Sequence, residues 1–320
     1  MELIANLVLQ GVQMLIVLAL APGLTGLVRK IKARLTRRRG ASILQPYRDL
    51  ARLLRKEVVL AENASWLFRV SPYMIFAATW AAAALVPTFA IGLHFSWTAD
   101  LIAIVALLAS ARFFLALAGM DVGTSFGGIG SSREMMIGAL AEPAMLLMVF
   151  TVALVAGSTQ LSNVVAFTAS GEVGIRVSMG MALIALVIVA IAENARIPVD
   201  NPATHLELTM VHEAMVLEYS GRHLAMIELA AALKLLLYMA LIGCIFVPWG
   251  IANRATGENA ADYLLAIVLY LAKLGAAGAL LAVFEVSIAK MRVFRVPDFL
   301  GIALMLALLG TLLLFVTRSL

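Results

Sequence analysis

Thiols are nearly absent from this 320-residue chain. Its one cysteine, Cys244, lies inside an apolar run, so no intramolecular disulfide can form and no cluster or zinc held by several thiolates can be built. Histidine is scarce as well, at four residues. If the protein takes part in redox chemistry, the electrons travel on other chains. Charge is the third shortage: Asp, Glu, Lys and Arg make up 13% of residues, against about 25% in soluble domains. So few charges cannot clothe a 34.1 kDa globule. A separate soluble domain is thereby excluded.

What the chain has instead is length in apolar residues. Hydrophobic residues reach 63% and mean hydropathy is +1.00, which reads as an all-α integral membrane protein. A spanning helix uses about 20 such residues. Eight runs qualify: Leu3–Val28, Pro72–Leu93, Ala99–Gly119, Glu134–Gly157, Val177–Ala192, Leu224–Pro248, Tyr263–Phe284 and Phe299–Val316. The fifth is short unless it continues through Glu193. The first is longer than a signal-peptide core and precedes, rather than follows, its basic cluster. The whole of 1–320 therefore reads as one polytopic membrane domain, without an internal repeat.

Lys and Arg are distributed unequally. The loop after the first run carries Arg29, Lys30, Lys32, Arg34, Arg37, Arg38, Arg39, Arg48, Arg52, Arg55, Lys56 and Arg69. Loops on the same side add Arg133, Arg196, Arg222, Lys290, Arg292 and Arg295, for 18 in all, against 3 opposite (Arg176, Arg254 and Arg318). By the positive-inside rule both termini lie outside. The isoelectric point of about 9.6 then reflects topology and lipid headgroups, and nucleic acid is not an expected partner. Within the first loop, Pro46 can open a helix in which Leu50, Leu53 and Leu54 alternate with Arg48, Arg52, Arg55 and Lys56, the pattern of a helix lying at the interface. The Gly- and Ser-rich stretch Asp121–Ser132 reads as a loop, with neither the strand nor the Gly-Lys ending of a phosphate cradle.

Four ionisable residues fall where charge is costly: Glu142, Glu228, Lys234 and Lys273, with Arg112 near the inner end of the third run. Each costs roughly 2.5–3.5 kcal/mol at mid-membrane, so four unpaired would cost about 10–14 kcal/mol. They must face protein or water, as packing ion pairs or as an ion route. The densest acidic stretch is residues 193–223. There Asn201 and Pro202 form an N-cap and first turn, which predicts a helix from Pro202 to about Leu217, re-entering from the cytoplasmic edge. On it His205 and His212 share a face, as would Glu207 and Glu218. His212-Glu213 lacks the second histidine of a zinc-protease motif, so no metal site is expected.

Three stretches resemble a known family. Arg38-Arg39-Gly40 with Leu44-Gln45-Pro46 and Leu53-Leu54-Arg55-Lys56-Glu57, then Glu193-Asn194-Ala195-Arg196-Ile197-Pro198-Val199-Asp200, and then Glu218-Tyr219-Ser220-Gly221 are similar to motifs of subunit 1 of respiratory complex I. The run Arg39–Asp49, which lacks the longer insert of the quinone enzymes, and Ser125–Glu134 resemble the membrane subunit of energy-converting hydrogenases, as in formate hydrogenlyase and hydrogenase-4. The resemblance implies a subunit in a bacterial cytoplasmic (inner) membrane that translocates protons or sodium. It implies hydrogenase-like large and small iron–sulfur subunits docked on the cytoplasmic face, and antiporter-like subunits beside it in the bilayer. Iron–sulfur clusters and a nickel–iron centre would belong to those partners, with no cofactor on this chain. An ion pathway is expected through Glu142, Glu193, Asp200, His205, Glu207, Glu213, Glu218, Glu228, Lys234 and Lys273. Partner docking is expected at Arg37, Arg38, Arg39, Gln45, Tyr47, Arg48, Asp49 and Arg196. The chain departs from the family at Ala203 and His205, where acids are usual, and in a stretch between Glu207 and Glu218 about three residues longer. Two rival functions are a quinone-site subunit and a stand-alone transporter.

Overall fold

A computed structural model describes residues 2–92, 94–170, 177–200, 210–253 and 260–319. Eleven α-helices run in order through these: α1 Glu2–Leu35, α2 Gln45–Arg55, α3 Trp66–Leu85, α4 Leu101–Asp121, α5 Ser125–Ala156, α6 Leu161–Ala169, α7 Val177–Glu193, α8 His212–Val216, α9 Gly221–Phe246, α10 Ala260–Ser287 and α11 Val296–Ser319. Six of them (α1, α4, α5, α9, α10 and α11) are long and apolar enough to cross a membrane. α7 reaches only 17 residues even though it continues through Glu193. α3 carries Arg69, Ser71, Pro72 and Tyr73 in its first half.

Capping residues explain several ends. The Ser65 hydroxyl accepts from the Leu67 N–H, Asp100 accepts from Ile102 at 2.7 Å, and Thr124 accepts from Gly127, each satisfying a first-turn donor. The third of these corrects the sequence reading: Ser125–Ser132 is the first two turns of α5, not a loop. Two of its three glycines, Gly127 and Gly130, are there for contact. A side chain at Gly127 would collide with the Gly119 carbonyl of α4, so α4 and α5 meet backbone to backbone. The second apolar run also ends earlier than expected. Val86 is extended before Pro87, and the chain peels away so that Ala90–Ile91 pairs in parallel with Ala252–Asn253.

α11 packs against α5 and α7, α3 against α4 and α9, and α1 against α9 and α10. The core between them is built from Leu101, Met148, Leu186, Leu233, Leu236 and Leu300. Thr151 and Thr311 share a hydrogen bond of 2.8 Å that fixes α11 on α5. The amphipathic helix α2 covers the stretch where its leucine spacing predicts a helix, with Pro46 in its first turn. The Tyr47 hydroxyl donates to the Ala19 carbonyl of α1, and the loop before α2 crosses α1 so closely that only glycine fits at Gly26.

Two of the motifs turn out to be clamps. Tyr219 stacks on Phe68 with ring centroids 3.9 Å apart and donates to the Phe68 carbonyl at 3.0 Å. The Ser220 hydroxyl both accepts from and donates to the backbone of Val59, at 2.8 Å each. Gly221, at φ +55°, sits against the Lys56 and Glu57 carbonyls where no side chain fits. The chain leaving α2 is thus tied to the start of α9. The other motif ties α7 to the end of α10: Met291 N–H donates to the Pro198 carbonyl at 2.9 Å, and Lys290 pairs with Asp200 at 3.0 Å.

Candidate functional site: a buried charge cluster beside a charge-lined cavity

α5 presents Glu134, Gly138 and Glu142 at successive four-residue intervals, which places them along one side of the helix. Arg112 of α4 fills that side. Its Nη1 lies 2.9 Å from Glu142, its Nε 3.5 Å from Glu134, and its Nη2 pairs with Glu193 at the end of α7. Glu193 also faces Lys234 of α9 at 3.9 Å. Gly138 makes this possible, because a Cβ there would stand 2.5 Å from Arg112 Nη1. Three helices thereby meet at one guanidinium, and Glu193 brings in α9 as the fourth through Lys234. Arginine suits the role because its planar fork donates in several directions at once.

Arg112 is 4% exposed at its side chain, Glu134 8% and Glu193 3%, whereas Glu142 is 40% exposed. The cluster therefore runs from the bundle interior to its surface. Counted with all groups ionised, three carboxylates face two cations. Buried charge is tolerated when paired, and one proton would bring this group to neutrality.

Beside the cluster lies a cavity of about 840 Å³, bounded by α1, α2, the chain after α7, α8, α9 and α10. Its ionic wall includes Arg29, Lys32, Arg196, Asp200, Glu213, Glu228 and Glu285, with Arg38, Asp49 and Arg52 where α2 closes it. Leu50, Leu53, Leu224 and Ile227 supply apolar patches. Glu285 is shared by Lys32 at 3.0 Å and Arg196 at 3.4 Å. Burial pulls the Arg196 guanidinium below its usual range, against the opposing effect of Glu285. His212 borders the same cavity. Burial, aided by the charge of Lys234 and opposed by Glu134 and Asp200, pulls its imidazole below the usual histidine value.

The expected pathway residues fall into groups. Glu142, Glu193 and Lys234 meet at Arg112. Asp200, Glu213 and Glu228 line the cavity. Glu218 occupies the half-buried turn before α9. Lys273 stands apart, its Nζ donating to the Val247 carbonyl. His205 and Glu207 lie outside the described residues. The predicted helix through Leu217 is corrected in its described part, since Met210 and Val211 are not helical and α8 is a single stretch of five residues. The cause is tertiary: the Met210 carbonyl accepts from Arg133 at 2.7 Å, and Val211 and Ala214 press against Gly130 of α5.

Of the residues expected to dock a partner, Arg37, Arg38, Arg39 and Arg48 are exposed. Tyr47 holds α2 to α1, Arg196 is half-buried in its pair with Glu285, and Asp49 accepts from Gln45 and Arg52 within its own helix. Sequence reasoning left Glu134, Arg112, Glu285, Lys32, Lys290 and His212 out of the site. Two omissions had a legible cause. The fourth apolar run begins at Glu134 itself, and the seventh ends one residue before Glu285. Among the described residues, no three His, Cys, Asp or Glu side chains are arranged as metal ligands.

A bundle of apolar helices enclosing an ionic cluster next to a cavity with charged side chains in its wall defines an integral membrane protein. The chain belongs to the NADH dehydrogenase family, whose sequence pattern matches residues 8–316. It is 35% identical to formate hydrogenlyase subunit 4 of Escherichia coli, over 89% of this chain and 91% of that one. It is 34% identical to hydrogenase-4 component C of the same organism, over 88% and 87%. Identity falls to 27% with a subunit of the NADH-quinone oxidoreductase of Bacteroides fragilis, over 70% and 64%. The fold matches a chain in the solved structure of the membrane-bound sulfane sulfur reductase, an archaeal respiratory membrane complex. The TM-score there is 0.79 at 19% identity, covering 98% of this chain and 99% of that one. At that identity the likeness concerns the fold.

Proposed function

We propose that this chain is the membrane anchor and ion-coupling subunit of a redox-driven complex of the formate hydrogenlyase or hydrogenase-4 kind, with the proton as the transported ion. The observation that carries this reading is the unequal charge count at Arg112. An assembly serving only to hold helices together needs equal numbers of cations and carboxylates. This one has a carboxylate to spare, bounded by a charge-lined cavity on one side and the half-exposed Glu142 on the other. Protons enter from the cavity, occupy the spare site, and leave through Glu142 toward a neighbouring membrane subunit. His205 and Glu207 stay in the proposed path on sequence grounds. The exposed Arg37, Arg38, Arg39 and Arg48 are offered to hydrogenase-like large and small subunits, which would carry the iron–sulfur clusters and a nickel–iron centre. The named relatives, each a subunit or component, support such an assembly.

Isolating the intact complex by an affinity tag on this chain tests the reading. Iron and acid-labile sulfide are expected to co-purify, with nickel, and hydrogen-linked turnover in sealed vesicles is expected to acidify one compartment. A chain that purifies alone and still moves ions would establish the stand-alone transporter. The apolar patches around Leu50, Leu53 and Ile227 give one specific ground for a second reading, a quinone site. Stoichiometric quinone in the extract, with no nickel, would favour it.

We also propose eight spans, counting α3 and α7, in a bacterial cytoplasmic membrane with both termini outside. In a background where Cys244 is replaced by alanine, Arg37→Cys is expected to react with an impermeant maleimide only from the cytoplasmic face. Arg254→Cys is expected to react only from the opposite face. The reverse pattern would overturn the orientation.

A further inference from the structure

The buried cluster and the cavity are neighbours, yet Arg112, Glu134, Glu193 and Lys234 do not form part of the cavity wall among the described residues. Something must carry a proton across that gap. His212 borders the cavity, and its charge is coupled both to Glu134 and Lys234 in the cluster and to Asp200 at the cavity. We propose that His212 is the proton-transfer residue that joins the cavity to the cluster, and this rests on the cluster being an ion path.

Its placement is built into the fold. α8 packs against α5 and α4, held by the Arg133 bond to the Met210 carbonyl and by the close fit over Gly130. The charges that act on the imidazole from the packed helices are Lys234 on α9 and Glu134 on α5. Asp200 faces it from the chain after α7, and Glu213 is its neighbour on α8.

The transfer balances in two steps. Neutral imidazole has one N–H and one free ring nitrogen, and the free nitrogen takes a proton from a hydronium ion in the cavity, leaving water and giving imidazolium. One N–H proton then passes to a Glu134 carboxylate oxygen, leaving neutral imidazole and reducing the cluster's charge from one excess negative to zero. Burial and Lys234 both disfavour the imidazolium, so the proton does not stay on the ring. A histidine whose charged form is disfavoured by its surroundings passes its proton on, which suits a relay at this point.

The test uses the whole complex in proteoliposomes, with an internal pH dye for translocation and artificial acceptors for the partner's redox turnover. His212→Gln is expected to cut translocation roughly a hundredfold with redox turnover kept. His212→Ala is expected to be rescued by free imidazole, which is small enough for a cavity of about 840 Å³. Imidazole should not rescue Glu193→Gln. Native translocation in His212→Gln, with loss in Glu193→Gln, overturns this inference and leaves the ion path standing. Native translocation in both overturns the ion path, and this inference with it. Loss in His212→Gln without imidazole rescue in His212→Ala assigns His212 to packing and also overturns it. If no His212 variant assembles, the unsubstituted complex decides. Its translocation rate, followed downward from pH 8, must show a one-proton inflection on the acid side of the usual histidine value, and the lack of one rejects the proposal.

Discussion

Arg112→Leu is expected to prevent the complex from accumulating, or to lower its melting temperature sharply. The guanidinium is the shared partner of Glu134, Glu142 and Glu193. Leucine keeps much of the volume but leaves three carboxylates facing Lys234 alone. Removing one partner of a buried ion pair costs about 3–5 kcal/mol, which is a large fraction of a domain's net stability of about 5–15 kcal/mol. Because the damage is uncompensated charge, a second change should repair part of it. Arg112→Leu combined with Glu193→Gln is expected to recover more assembled complex than Arg112→Leu alone. Thermal unfolding of the purified complex measures both. Unaltered stability in Arg112→Leu would show that the cluster does not hold the four helices together.

Glu193→Gln should do the opposite: the complex assembles, and ion movement stops. The amide keeps the shape and can still accept from Arg112. With Glu134 and Glu142 left against Arg112 and Lys234, the charges are equal and no carboxylate is in excess. A proton bound there would then create a buried positive charge instead of removing a negative one. Translocation in proteoliposomes is expected to fall to the level of empty vesicles, while hydrogen- or formate-linked turnover with soluble acceptors continues. Glu142→Gln should behave alike, since it also equalises the count and removes the half-exposed carboxylate at the bundle surface. Native translocation in both variants would refute a relay through this cluster. Failure of both to assemble would mark the charges as structural.

The helical membrane class was legible because it depends on amounts. With 63% hydrophobic residues and so few charges, burying backbone polar groups in lipid leaves helices as the simple solution. The amphipathic helix α2 was legible for a similar reason: its period and its Pro46 are local signals. Glu142 and Lys234 were visible as anomalies, charges standing in apolar runs. Their partners were not. Arg112 to Glu193 is a separation of 81 residues in the chain, and no periodicity in one segment reports a contact with another.

Where the sequence reading went astray, tertiary contact had overridden local preference. Glycine and serine in Ser125–Ser132 argue for a loop on their own, yet Thr124 caps a helix there and the missing side chains let α5 lie against α4. Met210 and Val211 sit inside a plausible helical pattern, but Arg133 and Gly130 hold them in another conformation. By itself, then, the sequence determined class, apolar segments and the presence of misplaced charge, all of which follow from composition and short-range period. Only the tertiary structure decided that three carboxylates share one arginine, that Gly138 leaves room for it, and that His212 lines the cavity beside them. Those facts are distances between segments far apart in the chain, and only packing brings such segments together.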